Sequence, residues 1–204
     1  MNYPEFYALA PRITMRDPLA EFLGAAQGGL MEYAYVDAVR LAGHSCPTVA
    51  GAYLLARAAL RALYADEPAE RGAITVRMPG PASEGVNGVI AQVFTLITGA
   101  AVDNGFHGIG GRFARQSLLS YAEPARSADI QVTRADTGKS VSVGLDLSSV
   151  PPAPNLRALL MAAFDPEATT AQRKRFSDAW QARVRKLLLE HADDAKVVLL
   201  KILN

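Results

Sequence analysis

The sequence predicts an α+β fold in which a mixed or antiparallel sheet packs against helices. Segments with the apolar period of a helix are interspersed with short alternating, β-branched segments. They lack the regular strand–helix alternation of a parallel α/β protein. With 204 residues, half of them apolar, the chain can bury one sizeable core. We predict an α+β core domain over residues 1–150 and a C-terminal helical extension over residues 151–204 that packs on it.

The elements of the core are predicted by periodicity and by helix-breaking residues. The clearest helix is "CPTVAGAYLLARAALRALYADEP", with proline at its first position and a stop near Pro68. "AITVRM" alternates like a half-buried strand, and "NGVIAQVFTLITGA" predicts a buried helix that ends near Gly99. "DIQVTRADTGKSVSVGLDL" predicts a β-hairpin around residues 136–138. Within residues 12–42 we expect a short helix from Pro18 and then an extended or helical piece.

The C-terminal part follows a linker, "SSVPPAPN". Two helices are predicted beyond it, in "LRALLMAAF" and "TTAQRKRFSDAWQARVRKLLLEHA". The tail "AKVVLLKIL" could be a strand or the end of a helix. Because the tail is apolar, we expect it to pack on something, and a second protein chain is one candidate.

Composition excludes several classes of protein. The 21 basic and 20 acidic residues give a net charge of +1, which argues against a broad surface for nucleic acid or anionic lipid. A single cysteine cannot form an internal disulfide or a four-cysteine zinc module. The start lacks the pattern of a secretory signal, and no apolar run reaches the ~18 residues of a membrane helix. We therefore expect a soluble, cytoplasmic protein.

The segment "LAGHSCPTVAG" is the strongest candidate for a functional site, because it places His44 two residues before Cys46. Pro47 fits the first turn of the helix, so Cys46 is predicted to be its N-cap, where the helix dipole favours a thiolate. In an extended approach His44 projects to the same side as Cys46. An imidazole and a thiolate at one point suit zinc or another transition ion. The structural alternative, a buried thiol beside an incidental histidine, stays equally open.

Three further residues are candidates for the same site. His107 lies in the glycine-rich loop "DNGFHGIGGRF" and would complete a Cys/His/His set with an open fourth position, although an exposed loop histidine is the alternative. Arg112 could hold an anionic ligand beside the metal, or form a surface ion pair. Asp37 could accept the N–H of the His44 ring. His191 is interpreted as a partner of a helix C-terminus and not as a ligand.

Several segments resemble one known family. "AGHSCPTVAGAYLLARAALRAL" resembles the G-H-x-C-P-G segment and following helix of the FmdE-like family, named after a component of formylmethanofuran dehydrogenase. "LITGAA" with "GFHGIGG" is similar to a diverged form of that family's T-G-C-T and glycine-rich stretch. "DPEATTAQRKRFSDAWQARVRKLL" is similar to its threonine-led, tryptophan-containing helix. Together these matches span most of residues 35–190.

The resemblance implies an α+β core, a homodimer and a metal-associated pocket around the histidine and cysteine. By position only His44 and Cys46 match the motif. Thr48 stands where the family usually has glycine, and Ala100 stands where it has the cysteine of T-G-C-T. His107 as a replacement ligand is our own inference. The C-terminal zinc finger of some members is missing, because the chain has no other cysteine.

Three functional hypotheses follow. The first is a metal-binding protein, most readily of zinc, with a small-molecule pocket that uses His44, Cys46 and His107; enzymatic activity is left open. The second is a non-catalytic accessory or interaction protein that binds a partner through its helices and apolar tail. The third is an enzyme with Cys46 as nucleophile and a histidine as base.

Overall fold

The computed structural model describes residues 3–122 and 129–203 and confirms the α+β class. Within these ranges the helices are α1 (Phe6–Leu9), α2 (Pro18–Phe22), α3 (Tyr35–Ala42), α4 (Pro47–Tyr64), α5 (Asn87–Thr98), α6 (Leu156–Phe164) and α7 (Thr170–Glu190), with a 3-10 turn at Gln27–Gly29. The strands are β1 (Ile13–Arg16), β2 (Leu30–Tyr33), β3 (Ala69–Glu70), β4 (Ile74–Met78), β5 (Leu119–Tyr121), β6 (Ile130–Arg134), β7 (Ser140–Leu145) and β8 (Val198–Ile202).

The strands form two mixed sheets. The smaller has the order β2-β1-β3, with β1 antiparallel to β2 and parallel to β3. The larger has the order β5-β4-β6-β7-β8, in which only the β4–β5 pair is parallel. The predicted hairpin is confirmed as β6 and β7, joined by a turn that contains Gly138 with φ of 72°. β1 was not predicted from the sequence.

Helix α4 is the centre of the fold. It packs on α5 and α7 and on the larger sheet through β7 and β8. Residues on most of its circumference are buried, which its alanines allow because they let neighbouring elements approach closely. The start at Pro47 and the end near the proline at position 68 agree with the prediction. The helix therefore places its N-terminus, with His44 and Cys46, beside α7.

The C-terminal segment shares the core of the rest of the chain. Helices α6 and α7 pack side by side, and α7 buries Val184, Leu187 and Leu188 in the cluster that surrounds α4. The tail forms strand β8, which resolves the alternative left open by the sequence. The division at residue 150 stays a prediction. Among the described helices none is both long and apolar enough to span a bilayer.

Candidate functional site

The predicted N-cap position of Cys46 is confirmed. Helix α3 ends at Ala42 and is capped by Gly43, whose φ of 73° is the left-handed conformation that glycine adopts readily. The backbone is extended at Cys46. The Sγ atom of Cys46 accepts a hydrogen bond from the backbone N–H of Val49 at 3.4 Å. The sulfur therefore lies among the unpaired amides that open α4. The residue is only 9% exposed.

The imidazole of His44 is exposed and held in one orientation. Its Nδ1 atom lies 2.9 Å from the carbonyl oxygen of Ala42. A carbonyl oxygen can only accept, so Nδ1 must carry the proton of this bond. In the neutral ring Nε2 is then the basic nitrogen, and this is the nitrogen that remains available to bind a metal ion.

Ser45, between the two candidate ligands, fixes this turn to the rest of the molecule. Its hydroxyl lies 2.8 Å from the Tyr35 hydroxyl and donates to Oε1 of Gln181 at 3.0 Å. Its carbonyl oxygen accepts from Nε1 of Trp180 at 2.9 Å. Burial raises the pKa of Tyr35, so its hydroxyl stays protonated and can donate to Ser45. Sequence reasoning missed this network, although the periodicity of α7 places Trp180 on the apolar face of that helix.

Asp37 is engaged within its own helix. Its Oδ2 atom accepts from the backbone N–H of Ala34 at 2.9 Å, and its Oδ1 atom pairs with Arg40 at 3.1 Å. The bond from Ala34 caps the start of α3, which is a common role of an acidic residue in the first turn, while the pair with Arg40 lies on the helix surface. The hydrogen bond predicted from the His44 ring to Asp37 goes to the Ala42 carbonyl instead.

His107 and Arg112 lie on an exposed loop. The imidazole of His107 makes no hydrogen bond with a described residue, and the Arg112 guanidinium stacks on the Phe113 ring with 4.9 Å to the centroid. Gly108, with φ of 95°, lets the loop close on itself, because a Cβ there would overlap the carbonyl of Arg112. Across the described residues, no three His, Cys, Asp or Glu side chains cluster in a way that could hold a metal ion. His44, Cys46 and His107 are thus not brought together as a preformed set.

A buried ion cluster, which the sequence analysis missed, holds this loop. Asp17 is buried and pairs with Nη2 of Arg115 at 2.6 Å and with Nη1 of Arg71 at 2.9 Å. Both arginines also donate to backbone carbonyls, Arg71 to the last turn of α5 and Arg115 to Arg71. Gly72 is required here, because a Cβ would overlap the Arg115 guanidinium. The only sequence signal was an aspartate before Pro18, where it caps α2.

Electrostatics in this cluster favour the ionised carboxylate. Burial by itself would raise the pKa of Asp17, but the hydrogen bond from Arg71 and the charge of Arg115 outweigh it and hold the pKa below its ordinary value. The cluster binds the loop after α5 to α2. Both carboxylate oxygens of Asp17 are paired within the chain, whereas the buried Nε of Arg115 makes no hydrogen bond with a described residue. It is a structural feature that positions the loop.

His191 lies at the C-terminal end of α7, as the sequence predicted. Its Nδ1 atom is 2.8 Å from Oδ2 of Asp194, and the pair is partly buried. Hydrogen bonding to His191 lowers the pKa of Asp194. This histidine is therefore occupied far from the start of α4 and serves as a natural control in experiments on the other two.

The comparisons with known proteins give one structural likeness. No protein-family model matches the chain, and no curated protein matches it. Among solved structures it is similar to a tungsten formylmethanofuran dehydrogenase FmdE-like protein from Syntrophus aciditrophicus. The TM-score is 0.47 at 14% sequence identity, covering 84% of this chain and 73% of that chain. At this level of similarity the function has to be inferred from the chain's own residues.

Proposed function

We propose that this protein binds a transition metal ion, most readily zinc, through His44 and Cys46 at the start of α4. The observation that carries the proposal is the orientation of the His44 ring. Metal-binding histidines generally donate their second N–H to a carbonyl or carboxylate, which fixes the ring and its tautomer. The bond from Nδ1 to the Ala42 carbonyl is of this kind, on an exposed histidine.

Cys46 supplies the second ligand. A sulfur that accepts a backbone N–H at the N-terminus of an 18-residue helix lies where the local field favours negative charge. Zinc and related ions bind thiolate sulfur and imidazole nitrogen. The hydrogen bonds of Ser45 to Tyr35 and Trp180 hold the residue between the two proposed ligands, which supports a turn whose backbone is ordered without metal.

Two ligands leave two positions of a tetrahedral ion to be filled. We assign one of these positions to His107, whose exposed loop would have to shift to bring the imidazole to the metal. We assign the other position to water or a small anionic ligand. Arg112, exposed on the same loop, is the proposed partner of that anion. These two assignments are tested separately from the His44–Cys46 pair.

The test is metal content and affinity under reducing conditions. Protein purified without chelator should carry about one transition metal ion per chain, or take up one zinc ion in a competition titration with a colorimetric chelator. Loss of a residue that merely orients a metal ligand typically costs roughly 10- to 100-fold in affinity, so Cys46→Ser and His44→Ala, which remove ligands, should each weaken zinc binding by at least this much. His191→Ala should leave zinc binding unchanged. A wild-type protein that neither contains nor binds metal contradicts the proposal.

The variant His107→Ala tests whether His107 is a third ligand, independently of the His44–Cys46 pair. A loss of affinity comparable to that of His44→Ala supports the three-ligand site. Unchanged affinity removes His107 from the site while the His44–Cys46 pair stands.

A second candidate function is that of an accessory protein that works by binding another protein. The exposed apolar residues of β8 and of α6, among them Phe164 and Ile202, favour it. In cells, Cys46→Ser would then leave function intact, while a charge introduced on β8 would abolish it. The opposite outcome favours the metal-binding function.

A further inference from the structure

The free edge of strand β8 is unusually well suited to pair with another strand. β8 is the last strand of the larger sheet, and no described strand lies beyond it. Leu200 is 38% exposed and Ile202 is 75% exposed, and Lys201 is the one charged residue in the strand. Natural sheets normally protect such an edge with several charges, proline or a bulge, because unprotected edges associate.

The hydrogen-bond register identifies which backbone groups face outward. The N–H of Leu203 donates to Ser140 and the N–H of Asp146 donates to Val197, so the odd-numbered residues of β8 bond to β7. By the alternation of an antiparallel ladder, the N–H and C=O groups of Leu200 and Ile202 point away from β7. The C=O of Val198 also points outward, while its N–H is taken by Asp194.

The side chain of Leu200, on the same edge strand, lines a groove formed largely by small residues. Val143 and Val141, which lie opposite Leu200 and Ile202, are buried on the side of α4. Leu200 therefore lies on the α4 side of the sheet, where it lines a groove with Ala58 and Ala62 of that helix and with Ala65 just after it. Small side chains leave room for a second apolar surface to approach closely.

The charges around this groove favour a partner with the same mixed surface. Asp193 pairs with Arg57 at 2.8 Å and with Arg61 at 2.6 Å, and Asp66 lies on the same rim. Two basic and two acidic side chains balance each other, so neither a strongly acidic nor a strongly basic partner is selected. A two-fold axis, by contrast, could bring Arg61 of one copy near Asp193 of the other.

We infer that β8 pairs antiparallel with β8 of a second copy, so that the two larger sheets become one continuous sheet across a two-fold axis at Leu200. In this register each Leu200 exchanges both backbone hydrogen bonds with the other Leu200, and each Ile202 N–H donates to the Val198 carbonyl of the other copy. This interface goes beyond the metal-binding proposal and does not depend on it.

Charge selects this register over its closest competitor. A register centred on Lys201 would form as many backbone hydrogen bonds between Leu200 and Ile202. It would also set the two Lys201 residues directly opposite each other, with their Cα atoms about 4.5 Å apart. Each lysine pairs with Asp129 of its own chain at 3.6 Å, but its side chain is 72% exposed, and like charges directly opposite each other are destabilising. Centring on Leu200 instead places Lys201 opposite Leu199 of the other copy.

The test compares the dimer dissociation constants of variants by sedimentation equilibrium, with chelator present so that metal cannot bridge copies. Leu200→Lys should weaken the wild-type dimer by roughly tenfold or more. Leu200→Pro should do the same, because it removes an outward N–H that the folded monomer does not use. Met161→Lys is the matched control on α6, at a residue that is 63% exposed, and should leave the dimer intact.

Cross-linking tests the register, and thermal unfolding shows that each variant is folded. In a Cys46→Ser background, Leu200→Cys should form an intermolecular disulfide more efficiently than Lys201→Cys. A monomeric wild-type protein, or a dimer that tolerates both Leu200 variants, overturns the interface. Preferential cross-linking at position 201 overturns the register.

Discussion

The start of α4 and the glycine-rich loop each contain a candidate metal-binding histidine, but the two side chains differ in how they are held. At the start of α4, His44 is oriented by the Ala42 carbonyl and its neighbour Ser45 is fixed by neutral hydrogen bonds to α3 and α7. In the loop, the backbone is held at Arg115 by a buried ion cluster, while His107 is exposed and makes no hydrogen bond with a described residue. A histidine that is already oriented loses less entropy on binding a ligand. The comparison therefore points to His44 as the residue on which a site would be built.

The largest expected effect on the free energy of unfolding is at Asp17, which anchors the glycine-rich loop through Arg115. Asp17→Ala would leave Arg71 and Arg115 without their carboxylate and would remove the cap of α2. Breaking one partner of a buried pair typically costs about 3 to 5 kcal/mol of unfolding free energy. Chemical denaturation should show a loss of this size. Asp178→Asn, which breaks an exposed pair with Lys174, should produce no comparable change.

A smaller effect is expected at the start of α4. Ser45→Ala removes the hydroxyl that joins Tyr35 to Gln181, and it leaves a buried tyrosine hydroxyl without this partner. We expect a loss of about 1 to 2 kcal/mol in denaturation experiments, together with weaker zinc binding because the ligands are no longer held. Ser177→Ala, at an exposed serine on α7, is the control. If Ser45→Ala matches that control, Ser45 is not the anchor of this turn.

The smallest expected effect is a loss of unfolding free energy at acidic pH. The pKa of Asp17 is lower in the folded state than its ordinary value, so the folded protein binds this proton less readily than the unfolded chain. Its stabilisation is therefore complete above about pH 4, near the pKa of an unfolded aspartate, and is lost as the pH falls through the lower folded value. Protonation keeps both oxygens in place, so the loss should be smaller than in Asp17→Ala.

Asp17→Asn isolates this contribution from other carboxylates that titrate in the same range. The wild type should lose stability more steeply than Asp17→Asn as the pH is lowered below about 4. Parallel curves of unfolding free energy against pH would show that the Asp17 pair does not contribute.

Much of the fold could be predicted because its signals are local. The proline that opens α4, the glycine that ends α5 and the alternation of β4, β6 and β7 each follow from a few adjacent residues. β1 was missed because it is only four residues long and its partners, β2 and β3, are four and two residues long. The tail could not be resolved between strand and helix from its composition, since its pairing partner, β7, lies more than 50 residues earlier.

The candidate site was predictable only in its local part. Cys46 as N-cap follows from the adjacent Pro47, whereas the Asp17–Arg115 pair joins residues 98 positions apart and left no pattern in the sequence. Whether His107 lies near Cys46 could not be predicted, because it depends on the tertiary position of the glycine-rich loop. Side-chain partners such as Gln181 for Ser45 depend on tertiary packing in the same way.

The most direct test of the proposed metal site is cobalt(II) substitution followed by absorption spectroscopy. Cobalt bound to Cys46 should show a thiolate-to-metal charge-transfer band that is absent in Cys46→Ser and reduced in His44→Ala, with His191→Ala unchanged. Cobalt that binds without this band, or a band that survives in Cys46→Ser, would contradict the assignment of Cys46 as a metal ligand at the start of α4.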